Sequence, residues 1–101
     1  MPSTTHTLKK FDDATFVTAG EIHFDERGAP ILKVTANGPL GQALREAWAE
    51  ISGQDALLWK RDEETPEGTQ RVGQLVRKDS PHYPAAVLSQ LANRYGFLAS
   101  P

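Results

Sequence analysis

LLWKRDEETPEGTQRVGQLVRK, residues 57–78, decides how the chain is read. Two β-prone runs, each ending in basic residues, flank an acidic tip with Pro66 and Gly68, the punctuation of a β-hairpin. Along the first run Leu57, Trp59 and Arg61 share one face, and Leu58 and Lys60 share the other. On the return run Val72 and Val76 are assigned inward. Arg71, Leu75 and Arg77 then join Leu58 and Lys60 outside.

An earlier stretch repeats the plan. Residues 14–24, ATFVTAGEIHF, read as a strand with Phe16, Thr18, Gly20, Ile22 and Phe24 inward, where Gly20 either weakens the strand or marks a bulge. Asp25 to Gly28 form a turn, and residues 30–36 return as a strand starting at Pro30. Asn37-Gly38-Pro39 then opens a helix, since Pro fits the first helical position. Leu40, Ala43, Leu44, Ala47, Trp48 and Ile51 fall on one stripe, and Gly53 ends it. After the residue 57–78 hairpin, residues 80–84 carry two prolines and form a connector. A last helix runs from about Pro84 to Tyr95, with Val87, Leu88, Leu91, Ala92 and Tyr95 on its stripe and Gly96 as cap.

The expected fold is therefore α+β, two hairpin–helix units in the order β-β-α-β-β-α. The expected architecture is a four-stranded, mostly antiparallel sheet with both helices on one face. Residues 1–12 are polar and patternless, and are expected to form a flexible tail. Residues 13–101 are expected to form a single α+β domain.

Composition narrows the function. The chain has 101 residues, net charge −2 and no cysteine. Disulfides, thiolate metal sites and cysteine nucleophiles are excluded, and the lack of cysteine points to a cytoplasmic setting. The slightly acidic balance gives no overall attraction to nucleic acid or an acidic membrane. The longest strongly apolar run, residues 56–59, is too short for a membrane span, and MPSTTHTLKK has no apolar core of a secretory signal.

No motif carries chemistry. NGPLG at 37–41 lacks the Lys-Ser/Thr of a phosphate loop and the third glycine of a dinucleotide site, and reads as a helix cap. Its GxxG spacing matches a nucleic-acid clamp, but it follows a strand and holds no basic residue. Glu21 and His23 share a strand face but lack a third metal ligand. The serines lie in tail, cap, connector or helix positions, none in a nucleophile elbow. The carboxylates at 12–13 and 62–64 read as solvated. No catalytic residue, metal site or cofactor is assigned, and the expectation leans away from an enzyme.

What is left is the open side of the expected sheet. Val17, Ile31, Leu58 and Leu75 are its apolar centre, framed by Lys33, Lys60, Arg71 and Arg77. The expected function is a small interaction or regulatory module binding a protein partner, or a second copy of itself, through this face. The alternative is nucleic-acid binding by the residue 57–78 hairpin, which holds five of the chain's eleven basic residues with Trp59 among them. Acidic side chains at its tip place this second.

Overall fold

The Thr-rich segment at the start of the chain becomes an interior strand of the sheet. In the computed structural model, which describes residues 2–100, Thr4–Asp12 form β1, paired on one side with β2, Thr15–Phe24, and on the other with β6, Phe97–Ser100. The expectation of a flexible tail over residues 1–12 is thus corrected at 4–12. One large apolar side chain suffices there, because both edges of β1 are hydrogen-bonded. Leu8 is fully buried, His6 meets the Phe24 ring edge-on at 6.1 Å, and the Lys10 ammonium lies 5.0 Å from the Phe97 centroid. The long Lys10 stem covers apolar surface while its charge stays near water.

A two-residue turn joins β1 to β2, with Asp13 (φ 47°) and Ala14 (φ 65°) both left-handed. This is the twist-matched hairpin shape that favours Asn-Gly or Asp-Gly. Alanine is strained at such a φ by about 1–2 kcal/mol. Ala14→Gly is therefore expected to raise stability by about 1 kcal/mol in urea unfolding. An unchanged or lower midpoint would contradict the turn.

Of the two readings of Gly20, β2 shows the bulge. Leu8 pairs with Gly20 but Lys9 pairs with Thr18, so Ala19 is the extra residue. Its carbonyl accepts the backbone N–H groups of Thr35 and Ala36 at 3.0 and 3.1 Å. The bulge reverses the alternation beyond it. Phe16 and Thr18, expected inside, pair with Phe11 and Lys9 on the outer side, and both are exposed. Val17, expected on the open face, aligns instead with Lys10, whose ammonium faces Phe97 on the helix side. At Gly20 a Cβ would lie 2.4 Å from the Lys33 carbonyl and 3.0 Å from Leu44 Cδ2, so the glycine permits a close crossing.

The next turn matches its reading. Asp25 Oδ1 accepts from the Ala29 and Arg27 backbone N–H groups, each at 2.9 Å, and Gly28 is left-handed at φ 83°. The Ala29 bond, supported by Arg27, holds the Asp25 carboxyl below its usual value despite some desolvation. A depressed carboxylate stabilises the fold above its unfolded pKa and loses that contribution as pH falls through the folded one. The return strand β3, Pro30–Val34, is an edge of the antiparallel order β3-β2-β1-β6.

Both helices cover one face of this sheet. Helix α1, Gly38–Ser52, buries Gly41, Leu44, Ala47 and Ile51, with Trp48 half-buried. Helix α2, Tyr83–Tyr95, buries Tyr83, Ala86, Val87 and Leu91, and ends at the left-handed Gly96. These side chains meet Leu8, Ile22, Phe24 and Phe97 in one apolar cluster.

The residue 57–78 hairpin forms, with β4, Ala56–Thr65, antiparallel to β5, Gly68–Arg77, but the acidic segment 62–65, read as loop, is paired strand and only Pro66 and Glu67 turn. The order β-β-α-β-β-α therefore runs from β2 to α2, with β1 and β6 added at the ends. The four-stranded antiparallel sheet is also present, but its membership is corrected. The β4–β5 pair is a separate two-stranded ribbon. Strand β6 occupies the sheet position beside β1, and α2 contacts both β6 and β4. Leu57 and Val76 anchor the base of the ribbon in the core. Its distal half has no buried side chain, and the molecule measures 47 × 32 × 24 Å.

Candidate interaction surface

Alternation along β4 and β5 places the outer side chains where the sequence put them. Leu57, Trp59, Arg61, Val72, Gln74 and Val76 are buried or half-buried, whereas Leu58, Lys60, Arg71, Leu75 and Arg77 are exposed. Leu58 and Leu75 are direct cross-strand partners, yet they are 44% and 72% exposed. Such a pair gains about 25 cal/mol for each Å² of apolar surface removed from water. Arg71 caps the patch distally, bonded to its cross-strand partner Asp62 at 3.1 Å. Beside the patch lies a groove of about 390 Å³ between β4 and α2, lined by Leu58, Lys60, Gln90 and Arg94 among others.

The backbone of the ribbon is also available. Gln90 Nε2 donates to the Leu58 carbonyl at 3.0 Å, so that carbonyl points away from β5. In an antiparallel ladder both members of such a pair turn their backbone groups outward, and alternate pairs do likewise. Leu75, Gly73 and Arg71 therefore aim their N–H and C=O groups at the free edge of β5. No backbone bond outside the β4–β5 ladder engages these three among the described residues. Of the other edges, β3 has 5 residues and β6 has 4, against 10 in β5; β4 is as long as β5, but α2 lies against it and Gln90 bonds its Leu58 carbonyl. A long uncovered edge is a template for another strand.

The eight residues singled out from sequence do not form one continuous sheet face. Ile31 and Lys33 lie on the outer side of the four-stranded sheet, exposed, next to His23 and Glu21. Leu58, Lys60, Arg71, Leu75 and Arg77 lie together on the ribbon, and Val17 stands apart at the β1–β2 arm. The sequence reading missed a second exposed apolar group, Phe11 and Phe16, whose rings meet edge-to-face at 5.1 Å. It also missed the free backbone at Gly73. The signal for the first was the bulge at Gly20, which reverses the side on which Phe16 falls.

The basic cluster of the hairpin is largely engaged within the molecule. Arg61 turns inward over the Trp59 ring at 5.3 Å, and Trp59 packs against His82 at 5.3 Å. Lys78 donates to the Ser52 carbonyl at 3.0 Å, and Arg71 is paired with Asp62. Trp59 is therefore no open stacking platform.

Other polar groups serve the fold. His23 Nδ1 lies 2.7 Å from Thr5 Oγ1, and the Tyr95 hydroxyl donates to Glu50. That acceptor raises the Tyr95 pKa, with some help from desolvation. Among the described residues no group of three His, Asp or Glu could hold a metal, and no helix is long and apolar enough to cross a membrane. Comparison with family models, curated proteins and solved structures found no match.

Proposed function

We propose that this protein is an interaction module whose working surface is the β4–β5 ribbon: its outer face and the free edge of β5. The observation that carries the reading is the exposed Leu58–Leu75 pair lying against an uncovered strand edge. Apolar area supplies affinity there, and backbone groups supply a directional seam. Lys60 and Arg77 on the same face set orientation more than affinity. The same basic residues suit nucleic acid less well, because Arg71 and Lys78 are already bonded, Arg61 is turned inward over the Trp59 ring and Trp59 is packed against His82.

Amine-specific cross-linking tests the location. Lys60 is on the proposed surface, whereas Lys9 and Lys33 are on the four-stranded sheet. Cross-links from Lys60 to a protein, whether a second copy or another chain, are expected, and Leu75→Asp is expected to abolish them without lowering the melting temperature. Cross-links confined to Lys9 and Lys33, indifferent to Leu75→Asp, would contradict the reading.

A further inference from the structure

We infer that the partner of the ribbon is a second copy of this chain, with the two β5 edges joined antiparallel about a two-fold axis through Gly73. This rests on the ribbon being the working surface and goes on to name its occupant.

The first argument is charge. Along the ribbon the acidic side chains Asp62, Glu63, Glu64 and Glu67 gather at the tip, and Arg77 closes the outer face of β5 at the base, with Lys78 and Asp79 following it outside the strand. Parallel docking of two ribbons would set tip against tip. Antiparallel docking sets the acidic tip of each against Arg77 of the other, twice by symmetry.

The second argument is Gly73. A glycine inside a strand costs roughly 0.5–1 kcal/mol relative to alanine, and this fold does not require one. Its φ is not positive, and an added Cβ would meet only Leu58 Cδ1, at an ordinary 3.4 Å. Close approach of another backbone gives the residue a reason.

The third argument is register. The outward groups belong to Arg71, Gly73 and Leu75, and a two-fold at Gly73 places Arg71 of one copy opposite Leu75 of the other. All three then meet as hydrogen-bonded pairs. The two Leu58–Leu75 patches then share one face of a four-stranded intermolecular sheet, where the aliphatic stem of Arg71 from each copy covers Leu75 of the other. Thr69 falls opposite Arg77 of the second copy, and Glu64, the cross-strand neighbour of Thr69, comes within reach of that guanidinium.

A single strand seam is smaller than a standard interface of about 1,600 Å², so the dimer is expected to be weak, with Kd on the order of 10 µM. Sedimentation equilibrium across that range, with far-UV circular dichroism to confirm folding, reads the outcome. Gly73→Pro removes one donor aimed at the free edge and is expected to give a monomer. Glu64→Lys and Arg77→Glu are each expected to weaken the dimer about tenfold, since each breaks two symmetric exposed pairs. The double variant is expected to recover most of that loss, which a folding defect would not do.

A wild type that stays monomeric throughout overturns the pairing. So does a dimer indifferent to Gly73→Pro, or a double variant weaker than either single one. If a monomeric wild type still cross-links another protein through Lys60, and Leu75→Asp abolishes it, only the identity of the partner is overturned. If those cross-links are also lacking, the ribbon reading falls as well.

Discussion

A chain lacking residues 1–12 is expected to show no cooperative urea transition and no near-ultraviolet circular dichroism signal of fixed packing. The deletion removes an interior strand, not a tail. β2 and β6 each lose a hydrogen-bonded neighbour, and Phe24 and Phe97 lose the His6 ring and the Lys10 stem that cover them. Leu8 alone is fully buried, and Leu8→Ala is expected to cost about 2–5 kcal/mol. A typical domain has only about 5–15 kcal/mol to lose, so deletion of the whole strand exceeds what the fold can spare. A truncated chain that melts cooperatively near the wild-type midpoint would show that β1 is not integral to the sheet.

Leu44→Ala is expected to cost about 2–5 kcal/mol, toward the upper end, read from urea midpoints at unchanged slope. Leu44 is fully buried on α1 and packs directly over Gly20, where a Cβ would come within 3.0 Å of Leu44 Cδ2. The surroundings cannot collapse into the vacated space, because backbone lies beneath it. Gly20→Ala is no remedy, since its Cβ would lie 2.4 Å from the Lys33 carbonyl oxygen. A loss of a few tenths of a kcal/mol would contradict the packing of α1 on the bulge.

The elements with strong local grammar were legible in the sequence. The helix stripe from Leu40 to Ile51, the Asp25–Gly28 turn and the left-handed Gly96 follow from periodicity and turn chemistry. The inward and outward sides of the β4–β5 ribbon followed from alternation, so five of the proposed surface residues were found together. What the sequence hid was set by tertiary contacts. β1 carries a single inward apolar residue of size, Leu8, and its turn uses Asp13-Ala14 in place of the Asp-Gly that signals a hairpin. β6 is four residues long, too short for alternation to show. With those two strands unseen, the ribbon was the obvious filler for the sheet. Val17 was misplaced for a local reason: Ala19 adds one residue, and every side chain beyond it changes face.

The central claim, that the β5 edge is where this protein meets its partner, is tested most directly by residue-resolved amide hydrogen exchange at increasing protein concentration. The amides of Arg71, Gly73 and Leu75 point to the free edge and are expected to exchange rapidly in dilute solution. Their protection is predicted to rise together with concentration while Ile31 and Lys33 stay unchanged. Protection that appears on β3 or β6 while these three amides remain fast at every concentration would contradict it.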